Sequence, residues 1–224
     1  MICSIHQPNF LPWMGFFHKI FHSDVFVILD TVQYSKNSFI NRNKIKTPNG
    51  PLWVTVPVLT KGKFGQPILE TMINPTELWA TRIQKTLLAN YKRADKFEEV
   101  YPKIEPILSN GWETIAQLNI ALIELLLNEL CYPGRVVRSS QLNVSGESSE
   151  LLISICREVG ADTYISGGGG SKYQEEHLFT ESGITLIYDK FLQPIHKQLW
   201  GDFLPGLSVI DYLLNCGFTA SVLM

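Results

Sequence analysis

The sequence predicts an α/β protein with an open, mostly parallel, Rossmann-like sheet, and three observations support that prediction. Residues 1–29 read as strand, helix and strand, which is a βαβ unit and requires parallel strands. Residues 133–224 return to alternating helices and strands, whereas residues 76–132 show only the helical spacing of apolar side chains. We therefore predict one domain with an α/β core of about residues 1–75 and 133–224, and a helical insert at 76–132.

The βαβ unit begins with the strand MICSIH, which ends at His6. The loop that follows contains Pro8 and Pro12, and proline is excluded from a helix interior but suits the first helical turn. The segment WMGFFHKIFHS then forms a helix that ends before Asp24. The nearly continuous apolar run VFVIL at 25–29 is typical of a buried strand.

The middle of the chain is a strand followed by helices. PLWVTVPV at 51–58 alternates like a strand and comes after a Pro-Asn-Gly turn. In the helical insert, Trp79, Ile83 and Leu87 fall on one helical face. Residues 115–132 are the most apolar stretch, but several polar side chains interrupt it, so it predicts a core helix rather than a membrane span.

The last third of the chain supplies further strands and helices. The helix ELLISICREVG, with Ser148 and Ser149 at its start, ends at Gly160, because glycine commonly terminates helices. Four segments follow in order: the strand DTYIS, the loop GGGG, the helix EEHLFTESG and the strand ITLIYD. SVIDYLLNCG at 208–217 is predicted to be the terminal helix.

Composition excludes several classes of partner. The formal net charge of −2 provides no field that would attract nucleic acid or a membrane surface. The four cysteines show no CxxC pairing, so reduced thiols are expected rather than disulfides or a zinc site. No secretory signal precedes the first strand. We expect a soluble, cytoplasmic protein with no nucleic-acid partner and no membrane insertion.

Three polar clusters follow predicted strands. Ligands of open parallel sheets bind beyond the carboxyl ends of the strands, so these clusters are candidates for one shared site. The clusters follow the strand that ends at His6, the strand at 25–29, and the strand DTYIS. The candidate site residues are His6, Gln7, Asn9, Asp30, Gln33, Asn41, Arg42, Asn43, Lys44, Ser166, Gly167, Gly168, Lys172 and Tyr173.

Each cluster suggests a chemical role, and each has a plainer alternative. His6 is a candidate general acid or base, because histidine titrates near neutral pH, or it is a structural histidine. Asp30 is a candidate catalytic carboxylate that accepts sugar hydroxyls, or it caps the following turn. The glycine run with Lys172 holds a phosphate, or it is a flexible linker. Arg42 and its neighbouring amides suit a polyol or a phosphate, or they belong to an ordinary surface loop.

Other reactive side chains give weaker signals. His18 and His22 lie four residues apart on a predicted helix, but no third ligand is evident, so no metal site is predicted. Cys216 is a candidate nucleophile, although a buried structural thiol is the commoner case. His177 and His196 show no partner. No motif specifies a cofactor, because the glycine run lacks the spacing of a Walker A loop or of GxGxxG.

Several sequence blocks carry a family resemblance. In order from residue 5 to residue 217 they are IHQPNFLPWMGFF, SDVFVILDTVQYSKNSFINRNKI, WVTVPV, GADTYISGGGGSKY and LSVIDYLLNCG. On these blocks the chain resembles the WbqC-like family of bacterial proteins. The resemblance implies a role in O-antigen, lipopolysaccharide or other surface-polysaccharide biosynthesis, because the family occurs in such gene clusters, often beside enzymes of amino-sugar synthesis. The signature positions are His6, Gln7, Pro8, Asn9, Pro12, Asp30, Gln33, Asn41, Arg42, Asn43, Ser166, Gly167 and Asp211.

A weaker likeness is to HIGH-type nucleotidyltransferases such as pantothenate synthetase, which activate a carboxylate with ATP and pass it to an amine. The chain is similar to those enzymes in the first strand, the proline-containing loop and the strand SDVFVILD. Its segment SGGGGSKY stands where those enzymes keep a second phosphate loop. The paired histidines of their motif have no counterpart near Gly15. The likeness therefore concerns sheet topology more than ATP use.

The leading hypothesis is a transferase that places an N-acyl group on a nucleotide-linked amino sugar, with His6 taking the proton from the attacking amine. The acyl donor would be an acid activated by ATP or an acyl-carrier thioester. Arg42, Lys44 and the glycine run would hold the diphosphate. Two alternatives remain, a glycosyltransferase or other sugar-nucleotide enzyme, and a non-catalytic sugar-nucleotide-binding or scaffold protein. The expected partner is a nucleotide-linked sugar, and a homodimer is left open.

Overall fold

The central sheet is built from five parallel strands. In residues 1–223, which the computed structural model describes, these strands are β1 (Ile2–His6), β2 (Val25–Ile28), β5 (Arg135–Arg138), β6 (Thr163–Ser166) and β7 (Thr185–Tyr188). Their order across the sheet is β5-β2-β1-β6-β7, so the first strand of the chain lies in the middle. The prediction of an open, mostly parallel, Rossmann-like α/β sheet is confirmed.

The helices of residues 1–223 occur where the sequence predicts helices. They are α1 (Met14–Phe21), α2 (Trp79–Tyr91), α3 (Phe97–Ser109), α4 (Ile115–Glu129), α5 (Ser148–Val159), α6 (Glu176–Glu181) and α7 (Val209–Cys216). None of these helices is both long and apolar enough to cross a lipid bilayer. Because α1, α5 and α6 precede parallel strands, they run back along the sheet and begin at its carboxyl edge.

Both faces of β2 are buried, which explains its continuous apolar sequence. Val25 and Val27 belong to a core cluster shared with α5, α6 and β6. Phe26 belongs to a larger cluster shared with α1, α2, α3, α4 and α7. Alternate side chains of a strand point to opposite faces, so the sheet has helices on both of its faces.

An antiparallel hairpin of β3 (Arg42–Thr47) and β4 (Gly50–Thr55) follows β2. The sequence predicts the turn and the strand at 51–58, whereas residues 42–47 read as part of a polar loop and are found in a strand. Thr47 pairs with Gly50, so two residues form the turn. The polar run after β2 therefore ends in a strand that packs beside the sheet.

Buried amides hold the loop after β1 against the hairpin layer. The amide nitrogen of Asn119, on α4, donates to the carbonyl oxygens of Pro8 and Ile40 at 2.8 and 2.7 Å. The amide nitrogen of Asn43 donates to the carbonyl oxygen of Leu11 at 2.7 Å. An unpaired buried polar group costs about 1–3 kcal/mol, so these bonds fix the path of the chain at the carboxyl edge.

Residues 189–207 have an irregular path from β7 to α7, and a buried polar network anchors them. Asp211, on α7, accepts hydrogen bonds from the Tyr91 hydroxyl at 2.9 Å and the Gln198 amide at 2.7 Å. Nε2 of His196 lies 3.2 Å from the same carboxylate, so the prediction that His196 has no partner is wrong. The sequence could not predict this pair, because α7 brings Asp211 to His196 only in the folded protein.

Candidate functional site

A cavity of about 430 Å³ opens at the carboxyl ends of β1 and β6. The strand order reverses between these two strands, and open α/β sheets bind ligands at such a point. We call it the first cavity; it is lined by Ile5, His6, Gln7, Leu29, Val32, Ser148, Ser149, Leu151, Leu152, Tyr164, Tyr173 and Gln174. It brings together His6, Gln7 and Tyr173, which the sequence placed in two different polar clusters. Asn9 is buried and does not line the cavity.

The ring of His6 is held in one orientation at the wall of the first cavity. Its Nδ1 lies 2.9 Å from the carbonyl oxygen of Gln7, and its ring packs edge-on against Phe16 at a centroid distance of 4.9 Å. A carbonyl oxygen only accepts, so Nδ1 carries the proton and Nε2 of the neutral ring has a lone pair. Burial, and then the Lys19 ammonium, lower the pKa of His6 to about 3. His6 is therefore neutral at physiological pH.

Lys19 is a buried cation close to His6. It is 2% exposed, and its Nζ donates to the carbonyl oxygen of Ile5 at 2.8 Å. Burial lowers the pKa of Lys19 to about 8, and the Asp189 carboxylate acts in the opposite direction. Asp189 follows β7 and also lies 2.9 Å from Nδ1 of His18. Charged groups from α1 and from the segment after β7 thus meet near the end of β1.

The glycine-rich segment after β6 forms one wall of the first cavity. A Cβ on Gly170 would lie 2.2 Å from Oγ of Ser166 and 2.7 Å from Oε1 of Gln174, so only glycine leaves room there. Gln174 is 9% exposed, and its amide nitrogen lies 3.4 Å from the Tyr164 hydroxyl. This part of the wall is therefore closely packed.

The other predicted residues of this cluster differ in exposure. Ser166 is buried, and its hydroxyl donates to the carbonyl oxygen of Gly167 at 3.3 Å. A Cβ on Gly168 would lie 3.3 Å from the backbone oxygen of Asp189. Lys172 and Tyr173 are exposed, and Tyr173 lines the first cavity. The lysine thus lies next in sequence to a residue of the cavity wall.

Aromatic side chains cover the N-terminus of α1, which is the usual phosphate position in dinucleotide-binding folds. The rings of Trp13 and Phe191 pack edge-on with their centroids 5.6 Å apart. A Cβ on Gly15 would lie 2.4 Å from the Trp13 ring and 2.9 Å from the Phe191 ring. A ligand in the first cavity would instead contact Ser148 and Ser149 at the start of α5.

A second cavity of about 590 Å³ adjoins the first, and Val32, Ser148 and Leu151 line both. The lining of the second cavity is Thr31, Val32, Gln33, Ser139, Ser140, Leu142, Val144, Ser145, Gly146, Glu147, Ser148 and Leu151. The predicted site residue Gln33 therefore lies beside the first cavity rather than in it.

Asp30 lies at the end of β2, and both of its carboxylate oxygens are engaged within the protein. Oδ1 accepts from the Ser139 hydroxyl at 2.8 Å and from the Ser140 backbone N–H at 3.0 Å. Oδ2 accepts from the Ser140 hydroxyl at 2.7 Å. Asp30 thereby joins the end of β2 to the turn after β5 and orients two hydroxyls of the second cavity.

The cations and amides after β2 belong to the hairpin. Asn41 donates to the carbonyl oxygen of Val56 at 2.8 Å, so its amide is committed to the fold, as is that of Asn43. Arg42 and Lys44 both contact the Trp53 ring, with the guanidinium carbon 4.4 Å and the ammonium 4.9 Å from its centroid. Neither cation lines the first or the second cavity. They form a separate cationic surface with an exposed tryptophan.

The remaining reactive side chains of residues 1–223 do not form a metal site or an activated nucleophile. Among residues 1–223, no group of three or more His, Cys, Asp or Glu is placed to hold a metal ion. The rings of His18 and His22 lie 4.3 Å apart, but Nδ1 of His22 is paired with the His18 carbonyl oxygen at 2.9 Å. Burial raises the pKa of Cys216, which favours the thiol over the nucleophilic thiolate.

Four residues of the first-cavity wall are not among the site residues predicted from the sequence: Ser148, Ser149, Tyr164 and Gln174. The sequence predicts the two serines at a helix start. A helix between parallel strands begins at their carboxyl edge, so topology alone could have found Ser148 and Ser149. Ser148 also has a φ of 48°, an uncommon conformation for a residue other than glycine. Nothing in the sequence could have found Tyr164, because it reads as an ordinary interior strand residue.

Comparisons with known proteins identify relatives but no activity. Residues 7–222 match the model of the WbqC-like protein family. The chain is 36% identical over 221 residues to an uncharacterized protein, Rv1507c, of Mycobacterium tuberculosis, and the alignment covers 97% of this chain and 94% of that protein. No solved structure matches the chain.

Proposed function

The chain belongs to the WbqC-like protein family, and from this premise we propose that it is an amide-forming enzyme of surface-polysaccharide biosynthesis. Its substrate would be a nucleotide-linked amino sugar, and its reaction would transfer an acyl group to the sugar amine. The family resemblance supports the pathway. The side chains of the first cavity support the reaction.

The observation that carries the proposal is the state of His6 at the wall of the first cavity. The bond from its Nδ1 to the carbonyl oxygen of Gln7 places the proton on Nδ1 and leaves a lone pair on Nε2. A neutral nitrogen at the strand-order reversal is suited to accept a proton from a bound nucleophile. An amino group is such a nucleophile.

The proposed step forms a C–N bond, breaks the bond between the acyl carbon and its leaving group, and moves one proton from nitrogen to that leaving group. The nitrogen of the neutral sugar amine attacks the carbonyl carbon of the acyl donor, and the proton on nitrogen passes to Nε2 of His6. The leaving group, a thiolate from a carrier thioester or a phosphate from an ATP-activated acid, departs with the bonding electron pair and receives that proton. Holding both reactants in one cavity contributes roughly 7–11 kcal/mol in the best intramolecular cases.

Binding of the nucleotide would also change the pKa of His6. The low pKa of His6, about 3 in the free protein, makes it a weak base. A diphosphate nearby would raise that pKa, since a negative charge stabilises the imidazolium ion. We propose that Lys172, next to Tyr173 at the cavity, holds the diphosphate, and that Arg42 and Lys44 add a second positive contact.

The proposal is tested by incubating the protein with UDP- or dTDP-linked amino sugars together with acyl thioesters, or with free acids and ATP. Mass spectrometry of the nucleotide fraction should find the sugar heavier by the acyl group and still attached to its nucleotide. A glycosyltransferase would instead release free UDP or dTDP. Release of the nucleotide, or no acylated product with any donor, would overturn the proposal.

A further inference from the structure

The second cavity is lined by several hydroxyl groups and has an apolar wall. Five of its lining residues carry a hydroxyl: Thr31, Ser139, Ser140, Ser145 and Ser148. Its apolar contacts come from Val32, Leu142, Val144 and Leu151. A sugar ring has the same two properties, because hydroxyl groups project from its edge and C–H groups form its faces.

Asp30 determines whether hydroxyl groups of this cavity donate hydrogen bonds to a ligand or accept them. The hydroxyl protons of Ser139 and Ser140 are donated to the Asp30 carboxylate, at 2.8 and 2.7 Å. Oγ of Ser139 also accepts from the backbone N–H of Asp30 at 3.1 Å, so this hydroxyl is committed to the fold. Ser140 is left with lone pairs rather than a proton for a ligand. The cavity wall accepts hydrogen bonds at this position.

The charge of the cavity points to the same kind of ligand. Glu147 is the one charged residue among those that line it, and no lysine or arginine lines it. Phosphate and carboxylate groups offer only acceptors and negative charge, so the part of the wall formed by Ser140 and the Glu147 carboxylate disfavours both. Sugar hydroxyls can donate to every acceptor described, and they carry no charge.

We infer that the second cavity binds an uncharged, hydroxylated sugar ring, and that Asp30 gives it selectivity for hydrogen-bond donors by orienting Ser139 and Ser140. This inference rests on the proposed function and deepens it. Val32, Ser148 and Leu151 line both cavities, so a sugar ring here would be next to the reactants in the first cavity. The anionic diphosphate would remain outside the second cavity.

The inference is tested with ¹⁵N-labelled full-length protein and NMR titrations against glucose, galactose, mannose, N-acetylglucosamine and inorganic phosphate. At least one sugar should shift the backbone amides of residues 30–33 and 139–148. Ser140→Ala removes one hydrogen-bond acceptor at an exposed position, and it should lower the affinity for that sugar about fivefold. Asp30→Asn should lower this affinity at least as much, because an amide has one acceptor oxygen and cannot accept both serine hydroxyl hydrogen bonds through separate oxygens. Ser182→Ala, outside the cavity, is the control and should change nothing.

Two results would overturn the inference. One is that no sugar in the panel shifts these amides, and the other is that phosphate shifts them more strongly than every sugar. Sugar shifts that Ser140→Ala leaves unchanged would place the sugar elsewhere and overturn it as well. The measurement needs no turnover, so sugar binding without any acylated product would sustain this inference while the proposed function fails.

Discussion

The ammonium nitrogen of Lys19 lies 2.8 Å from the carbonyl oxygen of Ile5, the residue immediately before His6. This buried charge is one cause of the low pKa of His6. In Lys19→Met we expect that pKa to rise above its value of about 3, but to stay below 6.5, because the burial of the ring remains. An NMR titration of the histidine ring resonances measures the change.

Lys85→Met, which removes an exposed lysine on α2, is the control and should leave the pKa of His6 unchanged. The pH dependence of stability gives a second readout. Between about pH 3 and 6.5, His6 is protonated in the unfolded chain and neutral in the folded protein. The free energy of unfolding therefore decreases as the pH falls. Lys19→Met should make that decrease smaller. A larger decrease, or an unchanged His6 pKa, would contradict the assigned role of Lys19.

Two neighbouring glycines should respond very differently to alanine. In Gly170→Ala the new Cβ would lie 2.2 Å from Oγ of Ser166 and 2.7 Å from Oε1 of Gln174, so both buried side chains must move. We expect a loss of about 1–3 kcal/mol in the free energy of unfolding, measured by urea denaturation. Because Gln174 lines the first cavity, affinity for the nucleotide-linked sugar should fall as well.

Gly169→Ala is the matched control for Gly170→Ala. A Cβ at position 169 would meet nothing within 4 Å, and the φ of −73° suits alanine. Its unfolding free energy should stay constant or rise by up to about 1 kcal/mol. Equal changes in the free energy of unfolding for the two substitutions would contradict the close packing of Gly170 against Ser166 and Gln174.

Arg42→Ala and Lys44→Ala test whether the cationic hairpin surface contributes to nucleotide binding. Both cations are partly exposed and contact Trp53, so their removal should leave the fold intact. If they contact the diphosphate, each substitution should weaken binding of the nucleotide-linked sugar about tenfold, and high salt should reduce the difference. Isothermal titration calorimetry measures this, with Lys85→Ala as the control. Unchanged affinity would show that the hairpin surface takes no part in binding the nucleotide.

Sequence patterns predicted the elements whose burial is simple. β2 is buried on both faces, so its apolar run identifies it, and the regular face of Trp79, Ile83 and Leu87 identifies α2. β3 was missed because RNKIKT contains a single aliphatic residue, and its cations face Trp53 and the irregular segment after β7. The four-residue edge strand β5, with arginine at both ends, carries too little apolar sequence to be recognised.

The candidate site was predictable only as far as topology determines it. The ends of the neighbouring strands β1 and β6 lie at the carboxyl edge, which is why His6 and Tyr173 line one cavity. Side-chain partners are a different matter. Whether Asp30 contacts a ligand or Ser140, and whether Lys19 is exposed or buried, depends on how distant segments pack in the folded chain.

The most direct measurement compares His6→Ala with the wild type in two assays, formation of acylated nucleotide sugar and binding of the unreacted nucleotide sugar. Loss of the proton acceptor should reduce turnover about 10²- to 10⁴-fold while the dissociation constant changes little. His177→Ala, at an exposed position on α6, is the control and should keep full activity. Product formed by His6→Ala at the wild-type rate would contradict the account.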